Sequence, residues 1–109
     1  MKLLTKEIIN QFEKQGKVDE LPSEKAKVIC KFFNPTGNGT WYAIEYDSTQ
    51  RMFFGFVDLG IKDCEEFGYF SLDELESLKV PPFGLGIERD MHFKPIKVSE
   101  LKKQYNLNY

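Results

Sequence analysis

Three runs with the residue pattern of β-strands follow one another between residues 27 and 58, separated only by short turn signals. The runs KVICKFF, TWYAIEYD and RMFFGFVD are rich in the β-branched and aromatic residues that strands favour. Between them lie NPTGNG and STQ, and connections this short join neighbouring antiparallel strands. The spacing therefore predicts a three-stranded antiparallel meander at the centre of the fold.

Alternation within these runs predicts which side chains face the core. In the first run it places Val28, Cys30 and Phe32 on one face and leaves Ile29 on the solvent side. The third run is apolar on both faces, so we expect helices to cover one face of the sheet and the other face to be available to a partner.

Helix signals flank the meander. TKEIINQFEKQG predicts an N-terminal helix, because Thr5 is a suitable N-cap and Gly16 a suitable end. A charged connection is predicted over 17–25. FGYFS (67–71) predicts a fourth strand.

This fourth strand leads into a predicted helix over 72–79, whose start carries a capping box of Ser71 and Glu74. IERDMHF predicts a fifth strand, and Ser99 is the predicted N-cap of a short C-terminal helix. The chain is thus predicted to fold as a single α+β domain over residues 1–109, with a mainly antiparallel sheet of about four to five strands.

Chain length and cysteine content restrict the class of protein. The sequence has 109 residues, which suits one domain, and its apolar runs fall far short of the roughly 20 residues that cross a bilayer. The early charges in MKLLTKEIINQF are unlike a signal peptide, so we expect a cytoplasmic protein without a membrane partner. Cys30 and Cys64 lack the spacing of zinc ligands and are predicted to be reduced. No metal or other cofactor is predicted.

Charge is distributed unevenly along the chain. Residues 45–76 carry two basic and nine acidic side chains, a net charge of −7, whereas the two flanking segments are mildly basic. Nucleic-acid affinity depends on neutralising phosphates with Lys and Arg, so this acidic block disfavours a nucleic-acid partner.

The segment GIERDMHF (86–93) concentrates charge and contains the single histidine of the chain. If it is a strand, alternation places Glu88, Asp90 and His92 on one face, where they are able to hold a divalent metal ion together with Glu45 from a neighbouring strand. The structural interpretation is a solvated strand face on which Arg89 pairs with a carboxylate. These five residues form the candidate polar cluster.

Aromatic side chains crowd the predicted sheet next to the acidic block. They are typical of core packing, and an exposed aromatic sheet face is also a way to stack bases or to bind a protein. The candidate interaction surface consists of Trp41, Tyr42, Tyr46, Asp58, Glu65, Glu66 and Tyr69.

Four stretches in order, TWYAIEYD, FFGFVD, GYFSLDEL and IERDMHFKP, resemble a family of small bacterial proteins catalogued as a domain of unknown function, number 2958. The likeness spans nearly the whole chain. The resemblance implies a setting on plasmids, phages and other mobile elements, and it supplies no catalytic residues.

Together these patterns favour a small, non-enzymatic, intracellular interaction protein that binds a protein partner of unknown identity. The setting implied by the resemblance suggests an anti-defence or accessory factor that binds a host protein. Two alternatives stay open. One is a metal-assisted hydrolase that uses Glu88, Asp90 and His92, and the other is a single-stranded nucleic-acid binder that uses the sheet aromatics.

Overall fold

A computed structural model describes residues 2–21, 23–62, 64–80 and 85–107. In these ranges the chain forms three α-helices, two short 3₁₀ turns and nine strands. The helices are α1 (Lys6–Gln15), α2 (Leu72–Ser77) and α3 (Val98–Gln104), and the 3₁₀ turns are Val18–Glu20 and Ser23–Lys25. The strands are β1 (Lys27–Val28), β2 (Cys30–Phe33), β3 (Thr40–Asp47), β4 (Met52–Asp58), β5 (Glu66–Ser71), β6 (Lys79–Val80), β7 (Leu85–Gly86), β8 (Glu88–Arg89) and β9 (Ile96–Lys97).

The main sheet has five antiparallel strands in the order β5-β4-β3-β2-β8. The meander of β2, β3 and β4 and the fourth strand β5 confirm the predicted α+β class and topology. Two further antiparallel pairs, β1 with β9 and β6 with β7, lie outside this sheet. None of the helices in the described residues is long and apolar enough to cross a membrane.

The turn NPTGNG joins β2 to β3 as predicted. The N–H of Asn34 donates to the carbonyl oxygen of Gly39 at 3.0 Å, which closes the hairpin. The side-chain oxygen of Asn34 accepts a hydrogen bond from the N–H of Thr36 at 3.0 Å, and Gly39 has a φ of 133° that favours glycine.

Two of the three predicted caps are confirmed. The Thr5 hydroxyl accepts from the N–H of Ile8 at 3.2 Å, and the Ser71 hydroxyl accepts from the N–H of Glu74 at 3.2 Å. The prediction that Ser99 caps α3 is wrong. The helix follows β9 directly with Lys97 at its N-cap, and the N–H of Val98 donates to the carbonyl oxygen of Ala26 at 2.9 Å, so tertiary pairing fixes where it begins.

Helix α2 ends at Ser77, two residues before the predicted end. Leu78 is already extended, and Lys79–Val80 pairs with Leu85–Gly86. The sequence continues with Pro81, and the residue before a proline is disfavoured in the helical conformation. Residues 81–84 lie outside the described part of the chain.

Helices cover both faces of the sheet. On one face, here called the α1 face, α1 and α2 pack Phe12, Leu72 and Leu75 against the strands. On the other, the α3 face, Leu101 of α3 is fully buried with residues of β3 and β4. The expectation that helices cover only one face is therefore corrected. The strand residues of the α1 face are Cys30, Phe32, Trp41, Ala43, Phe53 and Phe70, and those of the α3 face are Val28, Tyr42, Ile44 and Phe56.

The run 27–33 forms two short strands instead of one, so its predicted alternation is wrong. Val28 packs on the α3 face, whereas Ile29 and Cys30 both pack on the α1 face. At the break between β1 and β2, the N–H of Ile29 donates to the carbonyl oxygen of Ala43 at 2.8 Å. This change of register buries Ile29, which is only 8% exposed. Cys30 is a buried free thiol, and Cys64 is an exposed one.

Candidate interaction site

The charged segment 86–93 leaves the sheet earlier than predicted. Of the predicted strand 87–93, only Glu88–Arg89 is a strand, and it pairs with Phe33 and Phe32 of β2. The chain then turns at Asp90, whose N–H donates to the carbonyl oxygen of Lys31 and whose carboxylate accepts from the N–H of His92, both at 2.9 Å. The predicted strand face that unites Glu88, Asp90 and His92 is therefore wrong.

Arg89 binds backbone rather than a carboxylate. Its Nη1 donates to the carbonyl oxygens of Lys2 at 3.0 Å and Leu3 at 2.8 Å. Leu3 is buried in the core of the α1 face, so the guanidinium fastens the N-terminal segment beside β8. The predicted pairing of Arg89 with a carboxylate is replaced by a structural role.

Glu45 lies two strands away from β8, because β2 separates β8 from β3. Its Oε2 accepts a hydrogen bond from the N–H of Val18 at 2.9 Å, which holds the first 3₁₀ turn over the α3 face. The structure therefore does not bring Glu45 to Asp90 or His92. Among the described residues, no group of three or more His, Cys, Asp or Glu side chains is arranged to hold a metal ion.

Three members of the predicted interaction surface are structural. Trp41 is 8% exposed in the core of the α1 face, and Tyr42 is 7% exposed in that of the α3 face. The hydroxyl of Tyr105 donates to Oδ2 of Asp58 at 2.8 Å and lies 3.1 Å from the hydroxyl of Tyr42. Because the hydroxyl of Tyr105 donates its single proton to Asp58, the hydroxyl of Tyr42 is the donor in its hydrogen bond with Tyr105. Burial, together with the hydrogen bond that Tyr105 donates to the Asp58 carboxylate, raises the pKa of Tyr105 well above its ordinary value.

Tyr46 lies at the margin of the core on the α1 face. Its ring centroid lies 4.8 Å from that of Phe53 and 6.0 Å from that of Phe12. Burial raises the pKa of its hydroxyl, and the positive charge of Arg51 opposes this shift. Tyr46 therefore serves mainly to pack against Phe12 and Phe53.

The remaining three predicted surface residues, Glu65, Glu66 and Tyr69, lie at the β5 edge of the sheet. Glu65 is half-buried and Glu66 is exposed. Tyr69 is 75% exposed, although it pairs directly with Phe54 of β4 at a ring distance of 5.3 Å. An exposed tyrosine beside a partly buried phenylalanine marks this edge as the accessible part of the predicted surface.

Tyr69 and Phe54 form one side of a concave site on the α3 face, which we call the Tyr69 groove. Its volume is about 730 Å³. Residues of the first 3₁₀ turn and of the β3-β4 hairpin border it. The lining residues are Lys17, Val18, Asp19, Glu45, Asp47, Gln50, Met52, Phe54 and Tyr69. A smaller apolar cavity of about 290 Å³ shares Val18 and Phe54 with the groove and extends towards α3.

The Tyr69 groove is acidic. Three carboxylates, those of Asp19, Glu45 and Asp47, line it against the single ammonium group of Lys17. Arg51 lies outside the lining and is engaged by two other acids, Asp73 at 2.8 Å and Glu76 at 2.9 Å. The groove thus combines aromatic and thioether surface with a net negative charge, which suits a ligand that is both apolar and basic.

Sequence reasoning missed the part of this groove that the first 3₁₀ turn lines. Residues 17–25 are predicted as a charged connection, but Val18 packs against the core of the α3 face and its N–H is bound by Glu45. The isolated valine between charged residues was the available signal. Phe54 was recognised only as one apolar residue of a two-sided strand, because its pairing with Tyr69 depends on the register of β4 and β5.

Comparisons with known proteins place the chain by sequence family. No curated protein and no solved structure matches it significantly. Residues 3–103 match the family described as "Protein of unknown function (DUF2958)". That match covers nearly all of the described fold, from the segment held by Arg89 to α3, and we conclude that the protein belongs to this family.

Proposed function

We propose that the protein is a small, non-enzymatic interaction protein that binds a protein partner through the Tyr69 groove. The observation that carries this proposal is the exposure of Tyr69 beside a groove of about 730 Å³. Tyrosine and other aromatic side chains contribute much of the binding energy at protein interfaces when a partner buries them.

The chemistry of the groove favours binding over catalysis. Its lining among the described residues contains no Ser, Cys or His, so it offers no Ser–His or Cys–His pair of nucleophile and general base. Its carboxylates also oppose the phosphate backbone of a nucleic acid. Both considerations support the interaction role over the hydrolase and single-stranded nucleic-acid alternatives.

The setting of this role is part of the proposal. The family resemblance implies that such proteins are encoded on plasmids, phages and other mobile elements. A protein of that origin would act in the cytoplasm of the host, and an anti-defence or accessory function fits a small binding protein of this kind. The Tyr69 groove supports such a role because it offers a concave surface to one partner.

The test is a quantitative affinity purification from the native host with three forms of the tagged protein. Tyr69→Ala removes the exposed ring of the groove, and Met91→Ala is the matched control because Met91 is 68% exposed on the turn after β8. We expect a stoichiometric partner with wild type and Met91→Ala, and affinity weakened about 30-fold in Tyr69→Ala, which corresponds to about 2 kcal/mol for a central interface tyrosine.

The proposal is overturned if no stoichiometric partner is recovered, or if the partner binds Tyr69→Ala and wild type equally well. Both variants change exposed side chains, and Tyr69→Ala also removes a cross-strand contact with Phe54, so their free energies of unfolding should match that of wild type within about 1 kcal/mol. That control separates a lost contact from a lost fold.

A further inference from the structure

We propose that the partner occupies the outer edge of β5 as an added antiparallel strand, and that this strand alternates basic and apolar side chains. This inference rests on the proposed function and names the kind of segment that the site binds. Strand addition uses the main-chain hydrogen bonds of an exposed sheet edge for affinity and side-chain pockets for specificity.

The two edges of the sheet are not equivalent. The β8 edge is two residues long and lies beside the N-terminal segment that Arg89 holds by its carbonyl groups. The β5 edge is six residues long, and among the strands of the described residues it pairs with β4 alone. A long edge strand presents the template that another chain needs for pairing.

The direction of the β5 backbone groups follows from one hydrogen bond. The N–H of Leu72 donates to the carbonyl oxygen of Arg51 at 3.0 Å, and this pair continues the register of β4 and β5. Backbone groups of an antiparallel strand point alternately to either side, so Phe70 and Gly68 turn towards β4. Tyr69 therefore turns its N–H and C=O outwards, and Ser71 turns its N–H outwards, on the side of β5 that pairs with no strand of the described residues. The carbonyl of Ser71, the N-cap of α2, belongs to the first turn of that helix.

Both faces beside this edge have room for the side chains of an added strand. On the α3 face, Tyr69 is 75% exposed and leads into the Tyr69 groove. On the α1 face, a Cβ placed on Gly68 would meet no atom within 4 Å. A residue opposite Tyr69 would project over its ring, and the next residue would lie in the gap at Gly68, beside Phe70.

The charges decide the chemistry of the added strand. A basic side chain opposite Tyr69 lies over an aromatic ring and points towards the groove, which is lined by the carboxylates of Asp19, Glu45 and Asp47. An apolar side chain suits the gap beside Phe70, a residue of the hydrophobic core. The occupant is therefore an extended segment in which basic residues face the groove and apolar residues face Gly68.

A second copy of this chain is a poor occupant of the same edge. Antiparallel pairing of two β5 strands about Tyr69 would bring Glu65 and Glu66 of each copy towards the end of β5 in the other copy, where Asp73 follows. Like charges placed opposite each other destabilise strand pairing. The charge of this edge thus favours a basic partner over self-association.

The experiment measures the binding of fluorescein-labelled Arg-Val-Arg-Val-Arg-Val-Arg by fluorescence anisotropy, with two backbone-modified versions of the same peptide. The geometry turns the arginine amides towards β5 and the valine amides away from it. We expect N-methylation of the arginine amides to weaken binding at least about tenfold, and N-methylation of the valine amides to change it less than about threefold.

Controls address the side chains and the protein edge. A Glu-Val peptide of equal length should not bind, because it meets carboxylates in the groove. Tyr69→Ala should weaken binding of the Arg-Val peptide because it removes the ring. Tyr69→Pro should weaken binding further because it also removes the outward N–H. Proline is tolerated at an edge position whose N–H faces solvent, and circular dichroism verifies that the variant is folded.

Equal binding of all three Arg-Val peptides would overturn strand addition, because charge alone would then explain the affinity. No peptide binding, together with a Tyr69-dependent partner in the affinity purification, would overturn this inference and leave the proposed function intact. A stable dimer that Tyr69→Pro dissociates would assign the edge to a second copy and overturn the basic-strand proposal. Conversely, peptide binding of the expected pattern without a partner in the host would overturn only the proposed function.

Discussion

Gly55 and Gly68 provide a matched test of the central sheet, because they lie directly opposite each other on β4 and β5. A Cβ on Gly55 would overlap the carbonyl oxygen of Tyr42, lying also 2.9 Å from its carbonyl carbon and 3.1 Å from the Cα of Ala43. This close approach occurs next to the register shift between Ala43 and Glu45 of β3. The same Cβ on Gly68 would meet nothing within 4 Å.

The overlap at Gly55 sets the size of the expected loss in the free energy of unfolding. Gly55→Ala forces the paired backbones of β3 and β4 apart, which costs about 1–3 kcal/mol for the overlap and about 1 kcal/mol for a weakened hydrogen bond of the ladder. We therefore expect the free energy of unfolding to fall by about 2–4 kcal/mol and Tm by roughly 10–20 °C. Gly68→Ala should be neutral or stabilising by up to about 1 kcal/mol, since alanine restricts the unfolded chain more than glycine.

The assay is urea unfolding followed by the fluorescence of Trp41, the single tryptophan of the chain, which is buried against the α1 face. The two variants should show unchanged m-values and well-separated midpoints. If Gly55→Ala is as stable as Gly68→Ala, the close approach of β3 to Gly55 is refuted, and with it the register shift that we describe in β3.

Three further predictions concern contacts elsewhere in the fold. Arg89→Ala should lower the free energy of unfolding by about 1–2 kcal/mol because it removes both backbone hydrogen bonds, whereas Arg51→Ala, which removes exposed ion pairs, should leave the urea midpoint nearly unchanged; equal urea midpoints of the two variants would contradict this difference. Tyr105→Phe should cost about 1–2 kcal/mol by removing the donor to Asp58, again measured by urea unfolding, and an unchanged midpoint would argue against the hydrogen bond. Cys64 should react with a thiol reagent in the native protein and Cys30 only after unfolding, and rapid labelling of both would show that Cys30 is accessible.

The buried thiol of Cys30 also gives a pH dependence. Burial raises its pKa to about 12 from an ordinary value of 9.0, so the unfolded chain loses this proton before the folded chain does. The contribution of this group to stability is complete below pH 9 and is lost between pH 9 and 12, at about 1.4 kcal/mol per pH unit. Urea unfolding across this window should show a shallower loss of stability in Cys30→Ala than in wild type, and identical slopes would contradict the assignment.

Features that depend on residues close in sequence were predictable. The turn at Asn34 to Gly39 fixed the hairpin of β2 and β3, and the hydroxyls of Thr5 and Ser71 located two helix starts. In each case the donor and acceptor lie within a few residues of each other. Local chemistry therefore sufficed for the meander and for the order of its strands.

Features that depend on distant partners were not predictable from one sequence. The strand at Glu88–Arg89 ends opposite Phe32, within β2, where the chain turns at Asp90, and Arg89 binds the carbonyl groups of Lys2 and Leu3. The burial of Ile29 follows from a change of register against β3. Among the site residues, the aromatic content of the predicted sheet placed Tyr69 in the candidate interaction surface, but only the tertiary fold showed that Val18 and Glu45 line the groove beside it.

The contact between Arg89 and the N-terminal segment has a consequence for how the molecule folds. Its two hydrogen bonds join residues that are separated by 87 and 86 positions in the sequence, so the contact closes a loop of nearly the whole chain. In contrast, β2, β3 and β4 are joined by short turns. Closing a long loop costs more chain entropy than closing a hairpin, and we expect the meander to form first and the N-terminal segment to dock after the rate-limiting step. In a chevron experiment, Arg89→Ala should then accelerate unfolding and leave the folding rate nearly unchanged.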